Sequence, residues 1–377
     1  MRIEETEAKS IIVASKLPDT DYVVNPYTGC QFGCLYCYAT FMGRFVGESR
    51  KNWGNYVYVK KNAAELAKKQ LEKWSAEKKQ STILLSSVTD PYQGIEHKYR
   101  LTRRILEAFV EVNYPGKISI LTKSPMVMRD IDLLKQLNSE VGLTITTTDD
   151  KLSRFLEVTA PLASRRIETL KELVTNKIET YAFIGPLLPH FRFQPELLDD
   201  LFKAIADSGT KEVYVEHINL PTYIKERLWR EFRQEPEEVQ QIYRGAKNQE
   251  HRDVLTAMVN DLLKKYDLHI RLGETIYHRD KKEAASRPSE KQIGTHEGDI
   301  RMLINKAISK KGVLQIVYED SHGNLTNRDI APFEWTDFDE RKVRAYCYKR
   351  QDERTFSVLN IRHAKHIGLI DDYEKIT

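Results

Sequence analysis

Short runs of aliphatic and β-branched residues alternate with longer amphipathic segments from about residue 20 to residue 217. This alternation is typical of parallel β/α units, because a strand covered on both faces is almost wholly apolar and a helix follows it as the crossover. Six strands are predicted, at residues 22–25, 83–88, 118–122, 142–147, 180–184 and 212–216. The helices predicted between them cover residues 99–112, 127–137, 165–174 and 195–206. The pattern therefore predicts an α/β fold with a partial or complete β/α barrel.

The pattern changes after the sixth predicted strand. Residues 223–266 have helical periodicity throughout, with Leu255, Val259 and Leu262 on one face, which predicts a helical extension that packs on the barrel. Residues 279–298 are polar and charged with little to bury, which indicates a linker. We therefore expect a barrel domain with its helical extension over residues 1–278.

A second domain is predicted over residues 299–377. It opens with an amphipathic helix and continues with the β-like runs VLQIVYE, KVRAYCYK and TFSVLN, which predict a small β-barrel. Strand alternation places Val343, Ala345 and Cys347 on one face, and Arg344 and Tyr346 on the other. The first face is expected in the core and the second in solvent.

Composition excludes few functions. Hydrophobic residues are 41% of the chain, and no stretch approaches the roughly 20 apolar residues of a membrane helix. The acidic start MRIEETEAKS does not resemble a secretory signal, so we expect a cytoplasmic protein with no membrane partner. The net charge of +4 is mild, and any attraction to nucleic acid must come from local clusters of basic residues.

Three of the four cysteines lie within eight residues, in the run NPYTGCQFGCLYCYA. They are too close together to close a useful disulfide loop, and glycines beside them let the backbone wrap tightly around a ligand. Thiolates are the usual ligands of iron–sulfur clusters, and a complete [4Fe–4S] site takes four of them. Because the remaining cysteine is Cys347, far along the chain, one iron is expected to stay open. The predicted cluster ligands are Cys30, Cys34 and Cys37.

A zinc site is the alternative interpretation of these cysteines. A histidine such as His97 would then complete a tetrahedral set of three cysteines and one histidine. Zinc loops usually supply their ligands as two separated pairs, whereas the spacing here is three and then two residues.

The CxxxCxxC motif, with Tyr36 before its last cysteine, resembles the radical SAM superfamily. The flanking runs NPYTGC, YCYA, SSVTDPYQGIE and TITTTDD are similar to its spore photoproduct lyase-like branch. The resemblance implies a partial (β/α)6 barrel and a cluster whose open iron binds S-adenosylmethionine (SAM). It further implies reductive cleavage of SAM to a 5′-deoxyadenosyl radical, with electrons from a donor such as flavodoxin or ferredoxin.

The same resemblance implies SAM contacts at the strand ends that face the cluster loop. Asp90 is expected against the methionine amine, Lys123 against the methionine carboxylate, and two threonines against the carboxylate or ribose. The contact expected of Lys123 also has a physical reason that does not depend on the resemblance, because a lysine that ends a buried strand needs a charged partner. The full set of expected SAM contacts is Tyr36, Asp90, Lys123, Thr146, Thr148 and Arg166.

One departure from the branch concerns the substrate. Spore photoproduct lyase has a barrel cysteine that returns hydrogen to the product radical, whereas this chain has no cysteine between Cys37 and Cys347. We therefore expect its radical to serve a different reaction from thymine-dimer reversal by that route.

The C-terminal residues 300–370 are similar to the WYL domain, a small Sm/SH3-like β-barrel, in GVLQIVYED and RTFSVLNIRH. Residues 341–366 contain eight Lys or Arg and two acids, with aromatics interleaved, as in proteins that bind single strands. A solvated basic face on a structural barrel is the alternative. The candidate nucleic-acid contacts are Arg341, Lys342, Arg344, Tyr346 and Arg354.

Three functions follow from these patterns. The first is a lyase or base-modifying enzyme that uses a SAM-derived radical to repair or modify a nucleic-acid base, in DNA or RNA, single strands included. The second is a radical enzyme that acts on a protein or small molecule, with a nucleotide-sensing C-terminal domain. The third is an iron–sulfur regulator that binds nucleic acid without turnover.

Overall fold

The structure is a computed structural model that describes residues 1–233, 236–246, 248–277, 297–320, 324–337 and 340–370. The chain divides into two compact units, Met1–His278 and Arg279–Thr377. Most of the predicted linker at 279–298 lies outside the described residues, and its last two residues belong to the first helix of the second unit. Within the described part of the chain, no helix is long and apolar enough to cross a bilayer.

The strands are short, as expected for a β/α fold. In chain order they are β1 (Arg2–Thr6), β2 (Ile12–Ala14), β3 (Tyr22–Val24), β4 (Tyr27–Thr28), β5 (Tyr56–Lys60), β6 (Ile83–Leu85), β7 (Ile118–Thr122), β8 (Ser139–Thr144), β9 (Glu179–Leu187), β10 (Glu212–His217), β11 (His269–Ile270), β12 (Gly312–Glu319), β13 (Leu325–Trp335), β14 (Lys342–Cys347), β15 (Asp352–Ser357) and β16 (Ile361–Leu369).

The α-helices are α1 (Ala63–Glu72), α2 (Glu96–Tyr99), α3 (Leu101–Glu111), α4 (Ile131–Leu134), α5 (Asp150–Glu157), α6 (Ala163–Thr175), α7 (Pro195–Asp207), α8 (Thr222–Phe232), α9 (Glu237–Gly245), α10 (Gln249–Lys265) and α11 (Glu297–Lys310). Short 3-10 segments lie at Tyr38–Phe45, Arg50–Asn52, Lys78–Gln80, Pro125–Asp130, Pro189–Arg192, Arg271–Gly273 and Val358–Asn360.

An eight-stranded sheet forms the centre of the first unit, in the order β11-β10-β9-β8-β7-β6-β3-β2. Strands β3 and β6 to β10 are parallel and stand in chain order, so the predicted α/β fold with a partial (β/α)6 barrel is confirmed. The prediction succeeded because these strands are buried on both faces. All three residues of β6 are buried, for example, and helix α3 packs on the core of this sheet with Ile105, Leu106 and Phe109.

Two helical predictions differ from the structure in detail. The helical extension expected at 223–266 is present but divided into three helices, α8 to α10, and Pro236 directly precedes α9, where a proline cannot continue a helix from the preceding turn. The helix expected at 127–137 is a 3-10 segment, Pro125–Asp130, followed by the single turn of α4. In both places the apolar spacing was helical, but the backbone hydrogen bonds are interrupted.

A small second sheet of the first unit was not predicted. Strand β5 pairs in parallel with β1 and antiparallel with β4, which directly precedes the cysteine run. Its residues Tyr56 and Tyr58 are buried against that run and form part of the same apolar cluster as the cysteines. The sheet therefore supplies one wall of the cysteine site.

The second unit is a five-stranded antiparallel sheet in the order β15-β14-β13-β12-β16, with α11 packed on it, as expected of a small β domain. Val343, Ala345 and Cys347 are buried, and Tyr346 is exposed, so the predicted alternation of β14 is confirmed. The similarity to the WYL domain remains a prediction.

Candidate active site

The three clustered cysteines lie in the loop that follows β4, and all three are free thiols. Two glycines let this loop curl. Gly29 has φ +95°, and a Cβ there would clash with the backbone oxygen of Tyr56, while Gly33 has φ +64°. Only glycine tolerates such a conformation without strain. The local sequence therefore encodes a loop that wraps inward on its cysteines.

An apolar shell surrounds the cysteines, formed by Phe32, Ala39, Trp53, Tyr56, Tyr58 and Ala160. Burial raises the pKa of all three thiols, that of Cys34 to about 12, and ionisation of Cys34 or Cys37 raises the pKa of Cys30 further. Three thiolates placed together in such a pocket need a cationic centre to compensate them. An iron–sulfur cluster supplies that charge, so the donor set fits the group that the sequence predicts.

The geometry does not favour a single metal ion. Within the described residues, no three Cys, His, Asp or Glu side chains converge on a point where one ion would bind. Zinc requires four ligands around one ion, whereas a [4Fe–4S] cluster distributes three thiolates over three irons. His97, the proposed fourth zinc ligand, is exposed on α2.

A buried carboxylate that sequence reasoning missed joins several of the predicted site residues. Oε1 of Glu157 accepts the hydroxyl of Tyr36 and lies 3.5 Å from Nζ of Lys123. Oε2 accepts the guanidinium of Arg166 and the hydroxyl of Ser153, the latter at 2.9 Å. Glu157 therefore connects the cysteine loop, the end of β7 and helices α5 and α6.

The charges around Glu157 keep it ionised. Burial opposes ionisation, but the cations of Arg166 and Lys123 outweigh it and lower the pKa of Glu157 to about 2. Lys123 also interacts with the buried carboxylate of Asp90, where it opposes the rise that burial causes in the pKa of Asp90. Because Glu157 contacts the ammonium of Lys123 through one oxygen, at 3.5 Å, this ammonium keeps hydrogen-bond donors for the carboxylate of a ligand.

Arg166 is bound by protein acceptors in this structure, and its contact with SAM stays a prediction. Its side chain is fully buried, and its nitrogens donate to Glu157, to the carbonyl of Pro161 at 2.6 and 2.8 Å, and to that of Thr144 at 3.1 Å. Each of its three nitrogens donates to a protein group, and the side chain is not exposed to solvent. Lys123 keeps spare donors, because its one close ion pair with any described residue is with Glu157 at 3.5 Å.

Asp90 lies beside this site, and its carboxylate oxygens already accept hydrogen bonds from protein groups. Its carboxylate accepts the hydroxyl of Thr122 at 2.7 Å and the backbone N–H groups of Lys123 and Tyr92 at 2.8 and 2.9 Å. Asp90 thus holds the end of β7, where Lys123 begins. The structure indicates that it positions Lys123, which is a different contribution from the amine contact that the resemblance implies.

The two predicted threonines lie just beyond β8 and differ in environment. Thr146 is fully buried, and its hydroxyl has no hydrogen-bond partner within the described residues. Thr148 is half-buried. A buried hydroxyl without a partner is unfavourable unless a ligand or a water molecule forms a hydrogen bond with it. Thr146 therefore remains a candidate ligand contact.

The candidate nucleic-acid residues of the second unit lie on a face that is less basic than the sequence predicts. Arg344 is paired with Glu334 and, at 2.6 Å, with Glu353, and Arg354 lies 3.8 Å from Asp352. Strand pairing brings Glu334 of β13 and Glu353 of β15 beside Arg344 of β14, whereas the acid beside Arg354 is two residues away on the same strand, β15. Arg341, Lys342 and Tyr346 remain candidates.

Comparison of this chain with known proteins identifies the family to which it belongs. The model of the radical SAM superfamily matches residues 24–201, which include the cysteine loop, Lys123 and Glu157. A protein from Methanocaldococcus jannaschii, described as uncharacterized, is 40% identical over 190 residues, which cover 50% of this chain and 69% of that protein. The chain belongs to the radical SAM superfamily. Members of this superfamily use a [4Fe–4S] cluster and SAM.

Another radical SAM relative has a descriptive name. The radical SAM Nalpha-GlyT isomerase of Pseudomonas phage M6 is 28% identical over 198 residues, which cover 52% of this chain and 39% of the phage protein. The chain thus spans well under half of that relative.

Solved structures of spore photoproduct lyase share the radical SAM fold of this chain. The complex with dinucleoside spore photoproduct has a TM-score of 0.53, and a mutant with bound AdoMet and the same dinucleoside has a TM-score of 0.51. Both are 14% identical and cover 72% of this chain and 80% of the lyase. At this identity the similarity concerns the fold.

We expect the substitution Glu157→Gln to lower the free energy of unfolding at pH 7 by about 3 kcal/mol, because it leaves Arg166 buried without its counter-charge. The contribution of the native carboxylate has a defined pH window. Because its folded pKa is depressed from 4.5 to about 2, the stabilisation is present above pH 4.5 and is lost as the pH falls towards 2. Urea denaturation at several pH values measures both effects.

Glu168→Gln is the matched control, since Glu168 is an exposed glutamate of α6 that pairs with Arg165. Its expected cost is within about 0.5 kcal/mol. Equal losses in the two variants would show that Glu157 does not anchor the site.

Proposed function

We propose that the protein is a radical SAM enzyme that repairs or modifies a nucleic-acid base, with its [4Fe–4S] cluster held by Cys30, Cys34 and Cys37. One observation carries the proposal. The cysteine loop is fastened, through Tyr36 and Glu157, to a buried site in which Lys123 keeps spare cationic donors. This arrangement supports the proposal that SAM binds with its carboxylate at Lys123 and its reactive end at the open iron of the cluster.

When bound, the cluster supplies the electron that cleaves SAM into methionine and a 5′-deoxyadenosyl radical. The protein's own residues position SAM for this reaction. Lys123 pairs with the methionine carboxylate through the ammonium donors that Glu157 does not use. Asp90 fixes the backbone of Lys123. The hydroxyl of Thr146, which has no partner among the described residues, hydrogen-bonds the ribose or carboxylate.

A surface beside the cluster loop supports a nucleic-acid substrate. We call it the loop patch, and it consists of Tyr38, Phe41, Arg44, Phe45 and Arg50. The guanidinium of Arg44 lies 4.6 and 5.5 Å from the ring centres of Phe45 and Phe41, and the rings of Tyr38 and Phe41 are stacked at 6.5 Å. Exposed rings with interspersed cations bind bases by stacking and the backbone by charge.

The position of the loop patch adds to this support. Its 3-10 segment, Tyr38–Phe45, starts at the residue after Cys37, and Tyr223 lies under the guanidinium of Arg50 at 4.4 Å while its hydroxyl donates to the carbonyl of Tyr38. Phe45 is 64% exposed, although large apolar side chains are normally covered. A strand bound here lies next to the loop that carries Cys37.

The comparisons bear on the reaction as well as the substrate. The two spore photoproduct lyase structures contain a dinucleoside photoproduct, and the phage relative is named an isomerase. This chain has no cysteine between Cys37 and Cys347 to return hydrogen within a barrel. Modification or rearrangement of a base is therefore favoured over reversal of a thymine dimer by the cysteine route.

The reconstituted, reduced protein is expected to convert SAM to 5′-deoxyadenosine, and Cys34→Ala to abolish both the conversion and the [4Fe–4S] spectrum. Cys347→Ala is the matched control, because it removes a buried cysteine from the second unit and should keep both signals. With deuterated oligonucleotides, mass spectrometry should detect deuterium in the 5′-deoxyadenosine.

Each negative result contradicts a different part of the proposal. A stable cluster without any 5′-deoxyadenosine would favour the non-catalytic regulator. Turnover without deuterium transfer from any oligonucleotide, but with transfer from a protein or small molecule, would favour the second function predicted from the sequence.

Lys123→Met should retain the cluster and raise the Kd of SAM by about tenfold or more, because a hydrogen bond to a charged group contributes about 1.5–3 kcal/mol. Equilibrium dialysis with labelled SAM measures this Kd on the reconstituted protein. Lys151→Met, which removes an exposed lysine from α5, controls for the change in net charge. An unchanged Kd in Lys123→Met would exclude Lys123 as the carboxylate contact.

The double variant R44Q/R50Q should weaken binding of single-stranded oligonucleotides and reduce the salt dependence by about 0.7 for each phosphate that the protein no longer neutralises. Fluorescence anisotropy across a salt series measures both quantities. R341Q/K342Q removes the same charge from the second unit, so it distinguishes the two candidate surfaces. Loss of oligonucleotide binding only in R341Q/K342Q would show that the second unit, and not the loop patch, binds nucleic acid.

A further inference from the structure

Helix α8 follows the last parallel strand of the barrel and contributes a residue to the cysteine site. Its apolar face, with Ile224, Leu228 and Phe232, packs into the core as the sequence predicts. Arg227 lies beside this face and donates to the carbonyl of Gly33 at 2.5 Å. A helix expected only to cover the barrel therefore also contacts the cluster loop. Arg227 lies beyond residues 24–201, which the family model matches.

The second terminal nitrogen of Arg227 is buried and has no hydrogen-bond partner within the described residues. Burial lowers the pKa of Arg227, and negative charge on the sulfurs of Cys37 and Cys34 opposes that change. A buried guanidinium nitrogen without an acceptor is costly, and such groups in native proteins need an explanation. The cysteine sulfurs and the cluster they hold would provide the acceptors.

Trp53 also has a buried N–H group without a hydrogen-bond partner among the described residues. The side chain of Trp53 is buried in the apolar shell of the cysteines. The same shell holds Cys30, Cys34 and Cys37, so the sulfurs of the bound cluster are acceptors within the cluster of side chains that encloses this N–H. The carbonyl of Trp53 in turn accepts Arg227 at 3.4 Å. Two buried donors thus converge on one side of the cysteine loop.

We propose that Arg227 and Trp53 donate to the sulfur atoms of the bound cluster and raise its reduction potential. The proposal rests on the proposed function, because it requires a cluster on Cys30, Cys34 and Cys37. Reduction adds one electron from a low-potential donor and makes the cluster more negative. A fixed cation and hydrogen bonds to sulfur stabilise the more negative state, which raises the potential. Arg227 has the larger effect because it brings a full charge.

The test is an EPR-monitored redox titration of the reconstituted full-length chain. Arg227→Gln should lower the equilibrium constant for reduction by about tenfold, which corresponds to about 59 mV for a one-electron couple. Arg227→Lys keeps the charge and should recover most of the difference. Trp53→Phe removes only the N–H and should give a smaller shift in the same direction. Arg230→Gln, one turn further along α8 and exposed, should have no effect.

Iron content and the cluster absorbance distinguish this electrostatic effect from a purely structural one. If Arg227 only held Gly33, Arg227→Gln would lose cluster while the remaining cluster kept the wild-type potential, and the proposal would be wrong. If Arg227→Gln takes up no cluster at all, the potentials of Arg227→Lys and Trp53→Phe decide, and an unchanged potential in Trp53→Phe overturns the proposal. A wild-type chain that binds no [4Fe–4S] cluster refutes the proposed function instead.

Discussion

The buried carboxylate of Glu157 is the interaction on which the organisation of the site depends. It accepts the hydroxyl of Tyr36 from the cysteine loop, lies 3.5 Å from Lys123 at the end of β7, and pairs with Arg166 from α6. Because these partners come from separate segments, a single ionised group fixes their relative positions. The two cations beside Glu157 differ in their remaining hydrogen-bond donors. Arg166 also donates to backbone carbonyls, whereas Lys123 keeps donors that a ligand can use.

The cysteine loop depends on a second constraint, which is burial. Its thiols lie in an apolar shell where burial raises their pKa values, so the loop is suited to thiolates only when a cationic centre is bound. The donors Arg227 and Trp53 reach the same pocket from outside the loop. The site is therefore built from distant parts of the first unit, although its metal ligands are neighbours in sequence.

The sequence predicted the local features of this site well and the long-range ones poorly. It identified the cysteine run, and it argued that Lys123 must have a charged partner, which the structure identifies as Glu157. No periodicity or motif marks Glu157 or Arg227, since their importance comes from what they contact. The ion pairs of Arg166 and Arg344 could not be predicted for the same reason, because their counter-charges are brought beside them by α5 and by neighbouring strands.

By itself, the sequence determined the six parallel strands, the alternation of β14 and the loop that carries Cys30, Cys34 and Cys37. Each of these follows from interactions within a few residues, such as apolar periodicity or glycine conformation. Only the tertiary structure decided which charges are neutralised and which remain available to a ligand. Pairing of charges and burial depend on residues far apart in the chain, and those distances exist only after the sheet and its helices have packed.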